Sequence, residues 1–463
     1  DPLDLAVWPN SAIAESITVS GIGPGDLYIR VRDMSPGRDN HLRIDHVELV
    51  PVAAKPAASS AARPPPPTKP VGDAFLIGVY YAMPAIAKKD RFGWQYAFMD
   101  MARQGVNFVV VSGNKWAPQW AAVKNWGIRG ITSYSRLHEY KEGWTEQDIA
   151  RSIDLTDREF MQRLVYDEQD LRDQVLGHVF TDEPECKGLP EDQQAFMRAY
   201  AKAFHERFPD HDIYLNHCDP PWYDLGQKRD MCSVNATISV NSRRIVDRIA
   251  ESRRLGQENM IFVALPGNLG QWIATDCNRI DGFGYGPCSP AVQAWLKSLS
   301  TFQHVYDAMV SAYACGARGF AVFQYGQAGS YAVALVDQDG RGKPDGRWAG
   351  FGAAARDLRR AQSWPGVELH RDGARLADGD RLAPGPVRLA AEAVSDSGRI
   401  AKVVFGVSVN GGVDFESIED DDAPYEATFT LGPGADVIVR AQAVDTDGRR
   451  SIYSAAMVQV AGK

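Results

Sequence analysis

Apolar and polar positions fall into successive patterns along the chain. In residues 1–52 they alternate in short runs, at 16–22, 26–33 and 41–50, with Gly and Pro between them. A period of two predicts half-buried β-strands, though about 50 residues is too few to build a sizeable core alone. Residues 53–70, AAKPAASSAARPPPPTKP, carry four consecutive prolines. A proline run cannot join a helix or sheet ladder, so this stretch predicts an extended linker. From 71 to 364, uninterrupted apolar runs alternate with longer helix-like ones. The predicted strands are 75–81, 108–112, 130–134, 177–181, 213–216, 237–241, 261–265 and 319–324. Helices are predicted over 94–104, 159–173, 193–208, 245–255, 292–315 and 351–362. Strands that are apolar throughout are those buried on both faces. Eight strand–helix units predict an α/β fold, a closed (β/α)8 TIM barrel. A doubly wound open sheet is the alternative, but no GxGxxG or GxxxxGK[ST] follows an early strand. Residues 365–463 return to alternation, in VRLAAEAV, AKVVFGVSVNG, YEATFTL, DVIVRAQAVD and SIYSAAMVQVA, separated by Gly, Asn and Asp. About seven short strands in roughly a hundred residues predict an immunoglobulin-like β-sandwich. The acidic run at 419–422 reads as a solvated loop, with calcium binding as the alternative.

Composition narrows the function classes. The 463 residues are 44% hydrophobic and 24% charged, which excludes disorder as a description of the whole chain. No run of about 18 apolar residues occurs, so no membrane insertion is expected. The charge sum is 50 − 59 = −9, and no nucleic-acid partner is expected. A monomer is expected. Eleven Trp and 17 Tyr suit packing against sugar rings as well as a core. The six cysteines, Cys186, Cys218, Cys232, Cys277, Cys288 and Cys315, form no CxxC pair, which argues against a zinc ribbon. No HExxH occurs either, and neither metal nor cofactor is expected. Cys277 and Cys288 bracket a Gly-rich loop that a short disulfide would close, and Cys186 and Cys218 could meet across neighbouring loops. Two disulfides suit a secreted, cell-surface or periplasmic protein; six reduced thiols in a cytosolic enzyme are the alternative. The chain starts at Asp1 without Met or a leader, which reads as processed or trimmed.

In a (β/α)8 barrel the chemistry collects at the carboxyl ends of the strands. The polar and aromatic residues beyond the first three predicted strands are Tyr81, then Asn114, Lys115 and Trp116, then Tyr134 and Arg136. Next come Asp182 and Glu183, then Asn216, His217, Asp219 and Trp222. Asn241 and Arg243 come after the sixth strand, Trp272 lies beyond the seventh, and Gln324 and Tyr325 end the eighth. HVFTDEPE is the sharpest of these stretches. Pro184 cannot continue a ladder, so Glu183 should project from the rim. A carboxyl partly desolvated there has a raised pKa and can protonate a leaving-group oxygen. A solvated loop or a structural ion pair is the plain alternative. His178 reads as inward or packing, and His217 as a hydrogen-bond partner for a sugar or for Glu183. No G-x-S-x-G supports a Ser–His–Asp triad. Lys88, Lys89, Arg91, Lys115, Arg136, Arg243 and Arg244 all fall on strand-end loops. If clustered, they would favour an anionic glycan; the alternative is that several point away from the rim.

These stretches resemble the clan of (β/α)8 glycoside hydrolases whose fourth strand ends in Asn-Glu-Pro or a near variant. ACGARGFAVFQYG is similar to that clan's passage into strand 8, and ALVDQDGRGKPDGRW to its segment just after that strand. The resemblance implies hydrolysis of a glycosidic bond in a poly- or oligosaccharide, with Glu183 as general acid/base. The Tyr, Asn and Trp residues of the rim would hold the sugar. LRIDHVELVP resembles the last strand of bacterial carbohydrate-binding β-sandwich modules, which would make residues 1–52 a remnant of one. The turn from Asp445 to Gly448, with SIYS after it, resembles bacterial Ig-like modules appended to secreted enzymes. Two departures stand out. Asp182 replaces the Asn that contacts the sugar 2-hydroxyl, and strand 7, ending ALPGN, lacks the nucleophilic Glu. Three repairs are open. Asp182 or Asp219 is the second carboxylate, at about 5 Å from Glu183 for retention or about 6.5–9.5 Å for inversion. Or a substrate 2-acetamido group attacks, oriented by Asp182 and contacted by Tyr325 or Tyr134, since adjacent Asp-Glu resembles the N-acetylhexosaminidases. Or strand 7 lies elsewhere, and Asp276 or Asp281 enters from the loop 268–290. The competing functions are a non-catalytic glycan-binding protein on a degenerate barrel and a polysaccharide lyase.

Overall fold

The computed structural model describes residues 3–5, 29–31, 75–80, 93–112, 117–133, 142–158, 161, 171, 174–182, 191–209, 211–217, 231–237, 254, 259–265, 302–314, 316–323, 346–396 and 398–462. The chain forms two compact units, residues 1–70 and 71–463. In the first, β1 (Leu3–Leu5) pairs in parallel with β2 (Ile29–Val31), which falls within the predicted run 26–33. The runs at 16–22 and 41–50 and the linker 53–70 lie outside the described residues.

The second unit opens with eight parallel strands. They are β3 (Leu76–Tyr80), β4 (Phe108–Ser112), β5 (Arg129–Ser133), β6 (Val175–Asp182), β7 (Asp212–His217), β8 (Met231–Thr237), β9 (Asn259–Leu265) and β10 (Gly319–Phe323). Each pairs with its sequence neighbour, and β10 pairs with β3, so the barrel is closed. The described helices are α1 (Gly93–Arg103), α2 (Ala117–Asn125), α3 (Glu146–Thr156), α4 (Glu191–Arg207), α5 (Phe302–Ala314) and α6 (Gly346–Ala361).

The both-faced apolar pattern has a direct cause. Leu76, Phe108, Val110, Ile131, Tyr214 and Ala321 form a buried cluster drawn from the strands alone, the filling of the barrel. The alternate positions Ile77, Val79, Val109, Val111, Ile213, Leu215, Phe320 and Val322 join a second cluster with the surrounding helices. Large and small residues interlock inside. A Cβ on Gly78 would lie 2.2 Å from the Phe108 ring, so only glycine leaves that ring its space. Asn107 seals the lower edge, accepting from the Ile77 N–H at 2.8 Å and donating to the Phe75 carbonyl at 3.1 Å.

One strand differs from the sequence reading, and helices α2 and α3 lie outside its predicted helices. The sixth barrel strand is Met231–Thr237, not 237–241. It is interrupted by Ser233 and Asn235, so TISVN is the more regular run, but pairing with β7 and β9 selects the earlier segment. Asn241, expected at the strand end, and Arg243, expected just beyond it, are therefore four and six positions past Thr237 in sequence. Helix α3 lies ahead of the predicted 159–173, most of which is outside the described residues. Its signal is a capping box: the Thr145 hydroxyl accepts from the Asp148 N–H, and the Asp148 carboxylate accepts from the Thr145 N–H at 2.9 Å. Ile149, Ile153 and Thr156 then form its buried stripe.

Residues 366–460 form two sheets. The strands are β11 (Gly366–Arg371), β12 (Ala374–Arg375), β13 (Arg381–Leu382), β14 (Gly385–Val394), β15 (Ile400–Ser408), β16 (Glu416–Asp420), β17 (Tyr425–Leu431), β18 (Asp436–Asp445) and β19 (Ser454–Val460). One sheet runs β12-β11-β14-β17 and the other β13-β19-β18-β15-β16. Leu369, Leu389, Val403, Phe405, Phe429, Val439 and Val458 meet between them in a common core. The acidic run at 419–422 is not a free loop: Glu419 and Asp420 end edge strand β16. Lys402 donates to Glu419 at 2.6 Å, and the Glu426 N–H donates to Asp420 at 2.6 Å, so these carboxylates tie strands together. Among the described residues, no group of three or more His, Cys, Asp or Glu side chains could hold a metal ion. Among them, too, no helix is long and apolar enough to cross a membrane.

Candidate functional site

Strand register builds the carboxyl-end rim. Ser112, the last residue of β4, stands opposite Ser133, the last of β5. Ser133 stands opposite Val179, and β6 runs three residues further, to Asp182 opposite Asn216 of β7. Asn216 in turn faces Ser233, and His217 faces Val234 of β8. From β4 to β7 the strands thus end in polar residues above an apolar barrel, and β6 runs three residues past its level with the end of β5.

Two irregularities in β6 decide which residues arrive there. One register shift lies opposite Gly130/Ile131, and a second between Val179 and Thr181. Each extra residue in a strand moves every later position to the opposite face. His178, between the two, packs outward. Its ring stacks on Phe204 of α4, with centroids 5.7 Å apart and planes 12° from parallel, and it is 2% exposed. Burial, with a smaller contribution from the charge of His211, lowers its pKa to about 3, so it is a neutral packing residue. The second shift sets Asp182 at the register position of Asn216. Asn216 comes two residues after Tyr214, a member of the barrel filling, and so shares its face. It is buried at 2% exposure, a polar amide on top of an apolar plug. Isolated Gly177 is the one sequence signal for such a bulge.

Asn216 is the candidate residue whose side chain is described. Asp182 and His217 are located as strand ends. Glu183, Asp219, Tyr81, Asn114, Lys115, Trp116, Tyr134, Arg136, Trp222, Asn241, Arg243, Trp272, Gln324 and Tyr325 lie outside the described residues. So do the strand-end bases Lys88, Lys89, Arg91 and Arg244, and Cys186, Cys218, Cys277, Cys288 and Cys315. Strand β9 is paired on both sides and ends at Leu265, the end expected for strand 7. It contains no Asp or Glu, so a shifted strand 7 does not supply the second carboxylate.

No family model matches the chain, and no curated protein does. Solved structures do. Bacteroides uniformis beta-glucuronidase 2, covalently bound to cyclophellitol-6-carboxylate aziridine, aligns at 11% identity and a TM-score of 0.43, over 84% of this chain and 46% of that one. Parabacteroides merdae beta-glucuronidase aligns at 12% and 0.38, over 84% of this chain and 49% of that one. The fibronectin(III)-like modules of Clostridium thermocellum CbhA align at 24% and 0.18, over 22% of this chain and 48% of theirs. The chain spans about half the length of these proteins or less. The closed barrel rests on its own strand pairing, not on these likenesses.

Proposed function

We propose that the chain is a glycoside hydrolase in which Glu183 is the general acid and Asp182 or Asp219 the second carboxylate. The observation that carries this reading is the closed parallel barrel whose fourth strand ends at Asp182, immediately before Glu183-Pro184. A proton donor one residue past a strand end meets substrate at the face where barrels of this kind do chemistry. Asn216, one strand over at the same level, is suited to hydrogen-bond a sugar hydroxyl. The strand-end bases favour an anionic glycan, and adjacent Asp-Glu favours an N-acetylated one. The C-terminal sandwich is read as immunoglobulin-like, supported by its order: β11, β14 and β17 in one sheet, and β19, β18, β15 and β16 in the other. Export to the cell surface, periplasm or medium goes with this reading.

The test is incubation with a panel of neutral, uronic-acid and N-acetylated glycans, monitoring new reducing ends and the anomer first formed. Hydrolysis of any member supports the proposal. Product carrying an unsaturated uronic acid, seen by its ultraviolet absorbance, would replace it with a lyase. The carboxylate-free β9 favours a second reading, a glycan-binding protein without turnover. Calorimetric binding with no product from any bound glycan would establish that one.

A further inference from the structure

A two-sheet sandwich needs one buried face per sheet, yet β18 is buried on both. Val437, Val439, Ala441 and Ala443 point into the sandwich core, whereas Ile438 belongs to the cluster of the barrel and its helices. Neighbouring β19 divides in the same way, with Ala456 and Val458 on the sandwich side and Ala455 and Met457 on the barrel side. The outer face of the five-stranded sheet is therefore covered by α1 and the end of α2.

Arg440 sits at the centre of this seam. Its guanidinium carbon lies 3.6 Å from the ring centre of Phe415, 5.3 Å from that of Trp126 and 5.2 Å from that of Tyr453. Trp126, 1% exposed, meets both other rings edge-on at 5.5 Å. Arg440 also donates to the carbonyl of Asn125, the last residue of α2, where the helix dipole favours a cation. The Asn125 amide returns hydrogen bonds to the Gly412 and Val413 carbonyls at 2.9 and 2.6 Å. Arg103, ending α1, donates to Asp378 at 2.8 Å, and the other oxygen of Asp378 accepts from the Met457 N–H at 2.8 Å. A cation enclosed by three aromatic faces, with reciprocal hydrogen bonds across the same seam, is built for a fixed joint.

We propose that the sandwich is a permanent clamp on the α1–α2 side of the barrel, latched by Arg440, so that the two unfold together and not as tethered modules. Of the eleven Trp, none lies in residues 366–463, ten lie in 71–364 and Trp8 lies in the first unit, so tryptophan fluorescence comes almost wholly from the barrel and none of it from the sandwich. In the full chain, urea unfolding monitored by fluorescence and by native-state amide exchange of β18 is expected to give one midpoint. Arg440→Met should lower that midpoint and speed exchange over residues 410–415 and 125–128 by about tenfold, with Arg440→Lys in between. Should Arg440→Met fail to fold, Asn125→Ala carries the same readout, because it removes two hydrogen bonds across the seam and little packing. Separate midpoints for barrel and sandwich in the unsubstituted chain would overturn the proposal. So would unchanged exchange at 410–415 in the variants that fold.

Discussion

The rim of the barrel and its seam with the sandwich are built from opposite materials. At the seam, aromatic and aliphatic side chains close over a single cation, and hydrogen bonds run both ways between α2 and the 410–415 segment. At the rim, apolar strands end in Ser112, Ser133, Asp182, Asn216 and His217. Burying apolar surface stabilises, whereas gathering carboxylates and amides on one edge adds little to stability and is useful where a substrate completes the hydrogen bonds. The contrast separates positions expected to govern turnover from those expected to govern folding.

The largest effect sharpens the rim side. Asp182→Asn is expected to lower glycan hydrolysis about 10²–10⁴-fold with little change in melting temperature, as removal of a charged participant at the reacting centre does. A smaller loss than that of Asp219→Asn, measured in the same assay, would transfer the second role to Asp219. On the seam side, Trp126→Ala removes the shared ring of the latch and should cost about 3–5 kcal/mol in urea unfolding. The fraction that remains folded should turn over substrate at the original rate, and an equal loss of turnover per folded molecule would erase the contrast.

His178 supplies a pH test on the layer between β6 and α4, away from both regions. Its folded pKa, about 3, lies below the ordinary 6.5, so the unfolded chain binds the extra proton. The stability tied to neutral His178 is complete above pH 6.5 and is lost as pH falls towards 3, reaching about 3 kcal/mol at pH 4. His178→Phe keeps a ring against Phe204 and should unfold with a shallower pH dependence over that window; superimposable profiles would contradict the assignment. The smallest effect is inside the barrel. Gly78→Ala forces a methyl against the Phe108 ring and should cost about 1–3 kcal/mol, detectable as a lowered urea midpoint.

Much of the barrel is legible in the sequence because burial on both faces writes a continuous apolar run, as in FVVVS of β4. Where a strand carries interspersed polar residues, the signal fails: MCSVNAT reads less like a strand than the more regular TISVN beside it. The register shifts of β6 are not legible, since a bulge is settled by pairing with β5 and β7 and leaves only Gly177 as a trace. They matter for the site, because they turn His178 to the helices and bring Asp182 level with Asn216. The seam leaves a trace in DVIVRAQAVD, whose adjacent apolar positions depart from the alternation expected of it and fit a strand buried on both faces. Recognising what covers its second face requires Trp126, Phe415 and Tyr453, far apart in sequence, to be brought together.

The most direct test of the central claim compares the unsubstituted chain with Glu183→Gln on the best glycan from the panel, measuring hydrolysis and binding side by side. Turnover is predicted to fall by about 10³-fold or more while the glycan dissociation constant stays within a few-fold, because the amide keeps the shape of the site and loses the proton. Hydrolysis by Glu183→Gln at the original rate would contradict it.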